Sequence, residues 1–139
     1  MATDTPSVFP QLLIVDDFAE SRELLKELLE MEGYAVRTAA DGAQALAQMS
    51  EHLAQLAIIV EDLLDFNGAD LGGHLKAVAE KDWNGARCIT IGLRNYGEIP
   101  TPSAQLDFDH VVQKPVEFEL LYPLLDQCRK DLARQPRVE

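Results

Sequence analysis

Two adjacent carboxylates, Asp16 and Asp17, stand directly after the apolar run Leu12-Leu13-Ile14-Val15. Neighbouring like charges repel, so such a pair asks for a neutralising cation. Mg²⁺ suits it, because that ion takes one or two carboxylates and leaves the rest of its shell to water and phosphate oxygens. A second acidic pair, Glu61-Asp62, follows the apolar run 56–60, and Lys114 follows the short run 111–113. Acids, one metal and one lysine can carry phosphoryl transfer. The metal bridges carboxylates and phosphoryl oxygens, one Asp is the nucleophile, and the lysine neutralises the transferred charge. Singly, each residue has a plainer reading: a helix-capping Asp pair, or a solvated lysine before Pro115.

What makes the set more than a coincidence is where the elements put it. Apolar strand-like runs alternate with helix-period segments, the pattern of a doubly wound parallel sheet. Strands are expected over 12–15, 34–39, 56–60, 88–93 and 111–113, and helices over 20–31, 43–52, 69–80 and 117–132. The runs 12–15 and 56–60 are apolar throughout, as in strands covered on both faces. Leu24, Leu25, Leu28 and Leu29 form the expected inner stripe of the first helix, and Leu120, Leu121, Leu124, Leu125 and Cys128 that of the last. Gly33 should stop the first helix. Gly72 and Gly73 weaken the third by about 1 kcal/mol each against Ala, and Pro123 should kink the last. Between strands four and five, Pro100 and Pro102 forbid a regular helix, so the fourth unit should be irregular. In this arrangement strands one, three and five present Asp16-Asp17, Glu61-Asp62 and Lys114 at one carboxyl edge, where open α/β sheets bind ligands.

Length and composition bound the rest. A chain of 139 residues, 47% hydrophobic and 26% charged, suits one domain with a real core. Its net charge of −12 argues against direct nucleic-acid binding. No apolar run is long enough for a membrane span, and the N-terminus lacks a signal-peptide pattern. Cys88 and Cys128 are far apart without a CxxC motif, so two reduced thiols in a cytoplasmic protein are expected. Expected boundaries are a flexible lead over 1–9, one domain over 10–133 and a tail over 134–139.

With these residues assembled, the sequence resembles the receiver domain of two-component response regulators. The carrying motifs are Leu12-Leu13-Ile14-Val15-Asp16-Asp17, Gly33-Tyr34-Ala35-Val36, Ala40-Asp41-Gly42-Ala43-Gln44-Ala45-Leu46 and Lys114-Pro115. The resemblance implies a flavodoxin-like fold with strand order 2-1-3-4-5, Mg²⁺ dependence, and phosphate taken from a histidine kinase or phosphotransfer protein. It implies a phosphoacceptor domain, not an enzyme acting on a separate substrate. Metal ligands would be Asp16, Asp17, Asp62 and the carbonyl of Leu64. The downstream partner is unspecified, and self-association through the fourth unit stays open.

The departures from the family pattern bear on mechanism. The segment 61–68 is one or two residues short and has no proline. Matching forward from Asp17 puts Glu61 in the acceptor position, whereas matching back from Lys114 puts Asp62 there, and only Asp has the usual nucleophile chemistry. The Thr or Ser that normally ends strand four falls on Gly92, and the switch aromatic three before the lysine falls on Val111. An atypical switch is therefore expected, with a pseudo-receiver that works without phosphorylation as the alternative. Phe108 and His110 lie nearby, without a reason in the sequence to make either a substitute.

Overall fold

Short apolar runs become five parallel strands because each can hide both faces under helices. A computed structural model describes residues 11–61, 63, 68–94, 108–114 and 116–134. The strands are β1 (Gln11–Val15), β2 (Ala35–Ala39), β3 (Leu56–Val60), β4 (Ile89–Arg94) and β5 (His110–Gln113), paired in the order β2-β1-β3-β4-β5. The helices are α1 (Ala19–Met31), α2 (Gly42–Glu51), α3 (Gly68–Asp82) and the C-terminal α4 (Phe118–Arg134), which runs through Pro123. The expected irregular fourth unit, the lead over 1–9, Asp62 and Leu64 lie outside the described residues; of the tail expected over 134–139, Arg134 ends α4 and the rest lies outside them.

Every residue of β3 and β4 is buried, and so are Leu12 to Val15 of β1, while the edge strands β2 and β5 are partly open. That is the burial expected of a parallel sheet with helices on both faces. Strand four runs one residue further than expected, to Arg94, which is itself buried.

The helical stripes are narrower than the leucine pattern suggests. Leu25 and Leu29 of α1 are buried, but Leu24 is 57% exposed. Likewise Leu121, Leu125 and Cys128 of α4 are buried, whereas Leu120 is 63% exposed. A helix lying on a sheet buries the i, i+4 row that faces it, and a residue one position earlier points about 100° away.

Local signals set the helix ends. Asp41 accepts the Gln44 N–H at 2.8 Å, and the Gln44 side chain accepts the Ala40 N–H at 3.0 Å, so donors at the head of α2 are satisfied reciprocally. Gly33, at φ 108°, reverses the chain after α1, and the Tyr34 N–H returns to the Leu29 carbonyl at 3.2 Å. Burial pushes the Cys88 thiol up to about 12 and the Cys128 thiol up to about 11, which suits core residues rather than reactive ones. Among the described residues, no helix is long and apolar enough to cross a membrane.

Candidate functional site at the carboxyl edge of the sheet

A parallel sheet brings all its carboxyl ends to one edge, and the charged residues collect there. Asp16 is the first residue after β1, Glu61 the first after β3, Arg94 the last of β4 and Lys114 the first after β5. Pairing of Ile59 with Gly92, Val60 with Leu93 and Arg94 with Gln113 sets these ends level. The backbone continues the ladder one step, with Glu61 N–H to Leu93 O at 3.0 Å and Lys114 N–H to Arg94 O at 2.7 Å.

The β1 end is a fastened elbow. Asp16 is 1% exposed, and its carboxylate accepts the Phe18 N–H at 2.9 Å and the Ser21 hydroxyl at 2.8 Å. The Arg22 guanidinium donates to the Asp16 carbonyl at 2.9 Å. The Lys114 ammonium stands 3.8 Å from Asp16 Oδ2, so the sheet brings together the acid of strand one and the lysine of strand five. Asp17, beside them, is exposed.

At the β3 and β4 ends lies a pair that sequence reasoning missed. Arg94 donates through Nε to Glu61 Oε1 and through Nη2 to Glu61 Oε2, each at 3.2 Å. The two side chains are only 9% and 17% exposed. Such a two-pronged, largely desolvated contact fixes both carboxylate oxygens. The available signal was an Arg closing a buried strand opposite an acid that closes its neighbour.

Gly92, where the family's hydroxyl position falls, has no side chain to offer, and the structure shows what occupies its place. Gly92 lies opposite Ile59 within the sheet, two residues short of the edge. A methyl group built on Gly92 would come within 2.5, 2.6 and 2.9 Å of three atoms of the Phe108 ring. The ring therefore fills the volume that any side chain at position 92 would need. Gly72 of α3 faces the same ring, with a built methyl 3.6 Å from it. Phe108 is 4% exposed, whereas Val111, where the family aromatic was expected, is half-buried. A glycine in the middle of a buried apolar strand marks a close approach, and that was the readable signal.

Asp109, next in the chain, holds Phe108 in place. Its Oδ2 accepts from Lys76 Nζ at 2.6 Å and from the Thr90 N–H at 2.8 Å, and its own N–H donates to the Thr90 carbonyl at 3.0 Å. Burial pushes the Asp109 carboxyl up. Hydrogen bonds from Lys76 and Thr90, with the Lys76 charge, outweigh that and hold it below the usual range. The Thr90 hydroxyl, two residues before Gly92, is engaged in this contact, its Oγ1 lying 3.4 Å from Asp109 Oδ2.

Asp16 and Asp17 are hard oxygen donors of the kind Mg²⁺ selects, which fits the expected ion. Glu61 has both oxygens committed to Arg94. Among the described residues no group of three potential ligand side chains is assembled around one point, and the expected ligands Asp62 and Leu64 lie outside those residues. Beside Lys114 opens an apolar cleft of about 280 Å³, lined by Ser21, Leu24, Leu93, Val116 and Phe118 among others. Leu24 carries that apolar surface outward, and Phe18, just before α1, is 58% exposed.

Comparison with known proteins agrees with this geometry. The response regulator receiver domain model matches residues 12–126. The virulence sensor protein BvgS of Bordetella bronchiseptica is 29% identical over 133 residues, which span 88% of this chain but only 10% of that protein. The response regulator receiver domain (CheY-like) from Methylobacillus flagellatus superposes with a TM-score of 0.76 at 27% identity, covering 86% of this chain and 98% of its own. Response regulator TrrA from Thermotoga maritima, solved in complex with Mg²⁺ and BeF, gives a TM-score of 0.72 at 27% identity over 86% and 99% of the two chains. The sheet order, the acid-lysine pair at its edge and these matches agree: the chain belongs to the response regulator receiver domain family of two-component systems.

Proposed function

We propose that this domain accepts phosphate from a histidine kinase or phosphotransfer protein on Asp62, with Mg²⁺, and reports it by an atypical switch. The observation that carries the choice of acceptor is the Arg94–Glu61 fork. With both Glu61 oxygens held, the adjacent Asp62 is the carboxylate of the right type left to attack. In the transfer, a carboxylate oxygen of Asp62 bonds to phosphorus as the phosphorus–nitrogen bond of the donor histidine breaks, and the imidazole recovers its nitrogen lone pair. Lys114, held beside Asp16, would donate to a phosphoryl oxygen and offset its charge. Asp16, Asp17, Asp62 and the Leu64 carbonyl would hold the ion, which supplies neutralisation of the phosphoryl oxygens. The Mg²⁺–BeF complex of the Thermotoga maritima neighbour supports that cofactor. The cleft beside Lys114, with exposed Leu24 and Phe18, suits an apolar residue of the phosphate donor.

The alternative, a pseudo-receiver that signals without phosphate, is favoured by the same fork, since a committed Glu at the end of β3 mimics an occupied acceptor. Intact-mass measurement after acetyl phosphate and Mg²⁺ separates the two. A gain of one phosphoryl group that is lost in Asp62→Ala and kept in Glu61→Ala supports the acceptor reading. No gain in the unaltered protein supports the pseudo-receiver.

A further inference from the structure

We propose that Arg94 is a built-in counter-cation of the acidic strand-end cluster and competes with divalent metal there. The inference deepens the Mg²⁺-dependent reading and rests on it. Its basis is positional: Arg94 closes β4 level with Glu61 after β3, and Lys114 follows β5 in the same row. The described charges at this edge are therefore three acids, Asp16, Asp17 and Glu61, and three cations: Arg22 on the Asp16 carbonyl, Arg94 and Lys114. The guanidinium is not a surface charge that happens to lean inward. Arg94 as a whole is 8% exposed, and its guanidinium engages both oxygens of Glu61.

Two consequences follow from Coulomb's law and from ligand supply. A resident positive charge near the acids repels an incoming divalent ion, and Glu61 can turn toward that ion only by leaving Arg94. Both effects weaken metal binding and keep the cluster folded without it, because the acids are already partly neutralised. Arg94 is thus a residue that sets metal affinity, acting through charge and through its hold on Glu61.

The test is Mg²⁺ titration of the whole chain by thermal shift and calorimetry at constant ionic strength, comparing the unaltered protein with Arg94→Gln and Arg94→Lys. Removing a unit charge close to a divalent ion, even with water-like screening, corresponds to roughly tenfold tighter binding. Arg94→Gln should therefore bind Mg²⁺ about tenfold more tightly and melt lower without metal, with a larger rise on adding it. Arg94→Lys keeps the charge and should stay within about threefold of the unaltered protein. Equal or weaker Mg²⁺ binding in Arg94→Gln overturns the proposal, as does equal tightening in Arg94→Lys. Should Arg94→Gln fail to fold, Glu61→Gln decides instead. With Arg94 left uncompensated, Mg²⁺ binding should weaken, and tightening would overturn the proposal. No readout involves phosphate, so failure here is distinct from failure of Asp62 to accept it.

Discussion

The two halves of the carboxyl edge are built on different principles. At the β1 end, Asp16 is held by local partners: a backbone N–H two residues on and a hydroxyl five residues on. At the β4–β5 end, order comes from long-range contacts. Arg94 reaches across 33 residues to Glu61; away from the edge, where β4 and β5 begin, Lys76 reaches across the same separation to Asp109, and the Phe108 ring fits into the space that Gly92 leaves. Lys114, after β5, stands 3.8 Å from Asp16 Oδ2 and links the two halves. The second half holds a buried Arg94–Glu61 fork at the edge, and a Phe108 ring packed against Gly92 within the sheet. One end of the edge is thus ordered by contacts close in sequence and the other by contacts between distant segments.

The sharpest way to break this contrast is to empty the plug. Phe108→Ala should cost about 3–5 kcal/mol, as expected for a fully buried aromatic, read from urea denaturation. A loss below about 1 kcal/mol, within the range of ordinary surface changes, would mean the ring is a bystander. Next comes Gly92→Thr, the change that a family template would suggest as a repair. Overpacking against the ring should cost about 1–3 kcal/mol. In the Phe108→Ala background most of that cost should vanish, because the space is then free; strict additivity would separate the two residues energetically.

A smaller effect is expected from Asp109→Asn, about 1 kcal/mol for a half-exposed charged contact. Its carboxyl is held below the usual range when folded, so the stabilisation is present above the unfolded value of about 4. It is lost as pH falls through the folded value. The stability gap between the two proteins should therefore close on acidification below about pH 4, and a gap that widened there would reverse the assigned sign. A change of similar size is expected at the β1 end. Ser21→Ala removes one hydroxyl donor to Asp16, which keeps its backbone partner, and should cost about 1 kcal/mol. A loss as large as that of Phe108→Ala would erase the difference between the two halves.

Strand and helix periodicity, the acidic pair after β1 and the lysine after β5 were legible because each depends on residues close in sequence. Apolar runs of four to six residues can only be hidden strands, and a parallel sheet must then collect their carboxyl ends on one side. The stop at Gly33 and the reciprocal cap at Asp41 and Gln44 are local in the same sense. The exposure of Leu24 and Leu120 was not legible, since periodicity defines a stripe but not which row of it meets the sheet. Nor were the roles of Gly92, Arg94 and Phe108. Gly92 could be read as a missing hydroxyl, because sequence alone does not say where a buried strand ends. Only the pairing of β3 with β4 puts Gly92 inside the sheet, Arg94 at its edge and a ring from the far side of the fourth unit against the glycine. Local periodicity determined the elements and the acid-lysine half of the site; strand register and packing between distant segments decided the other half.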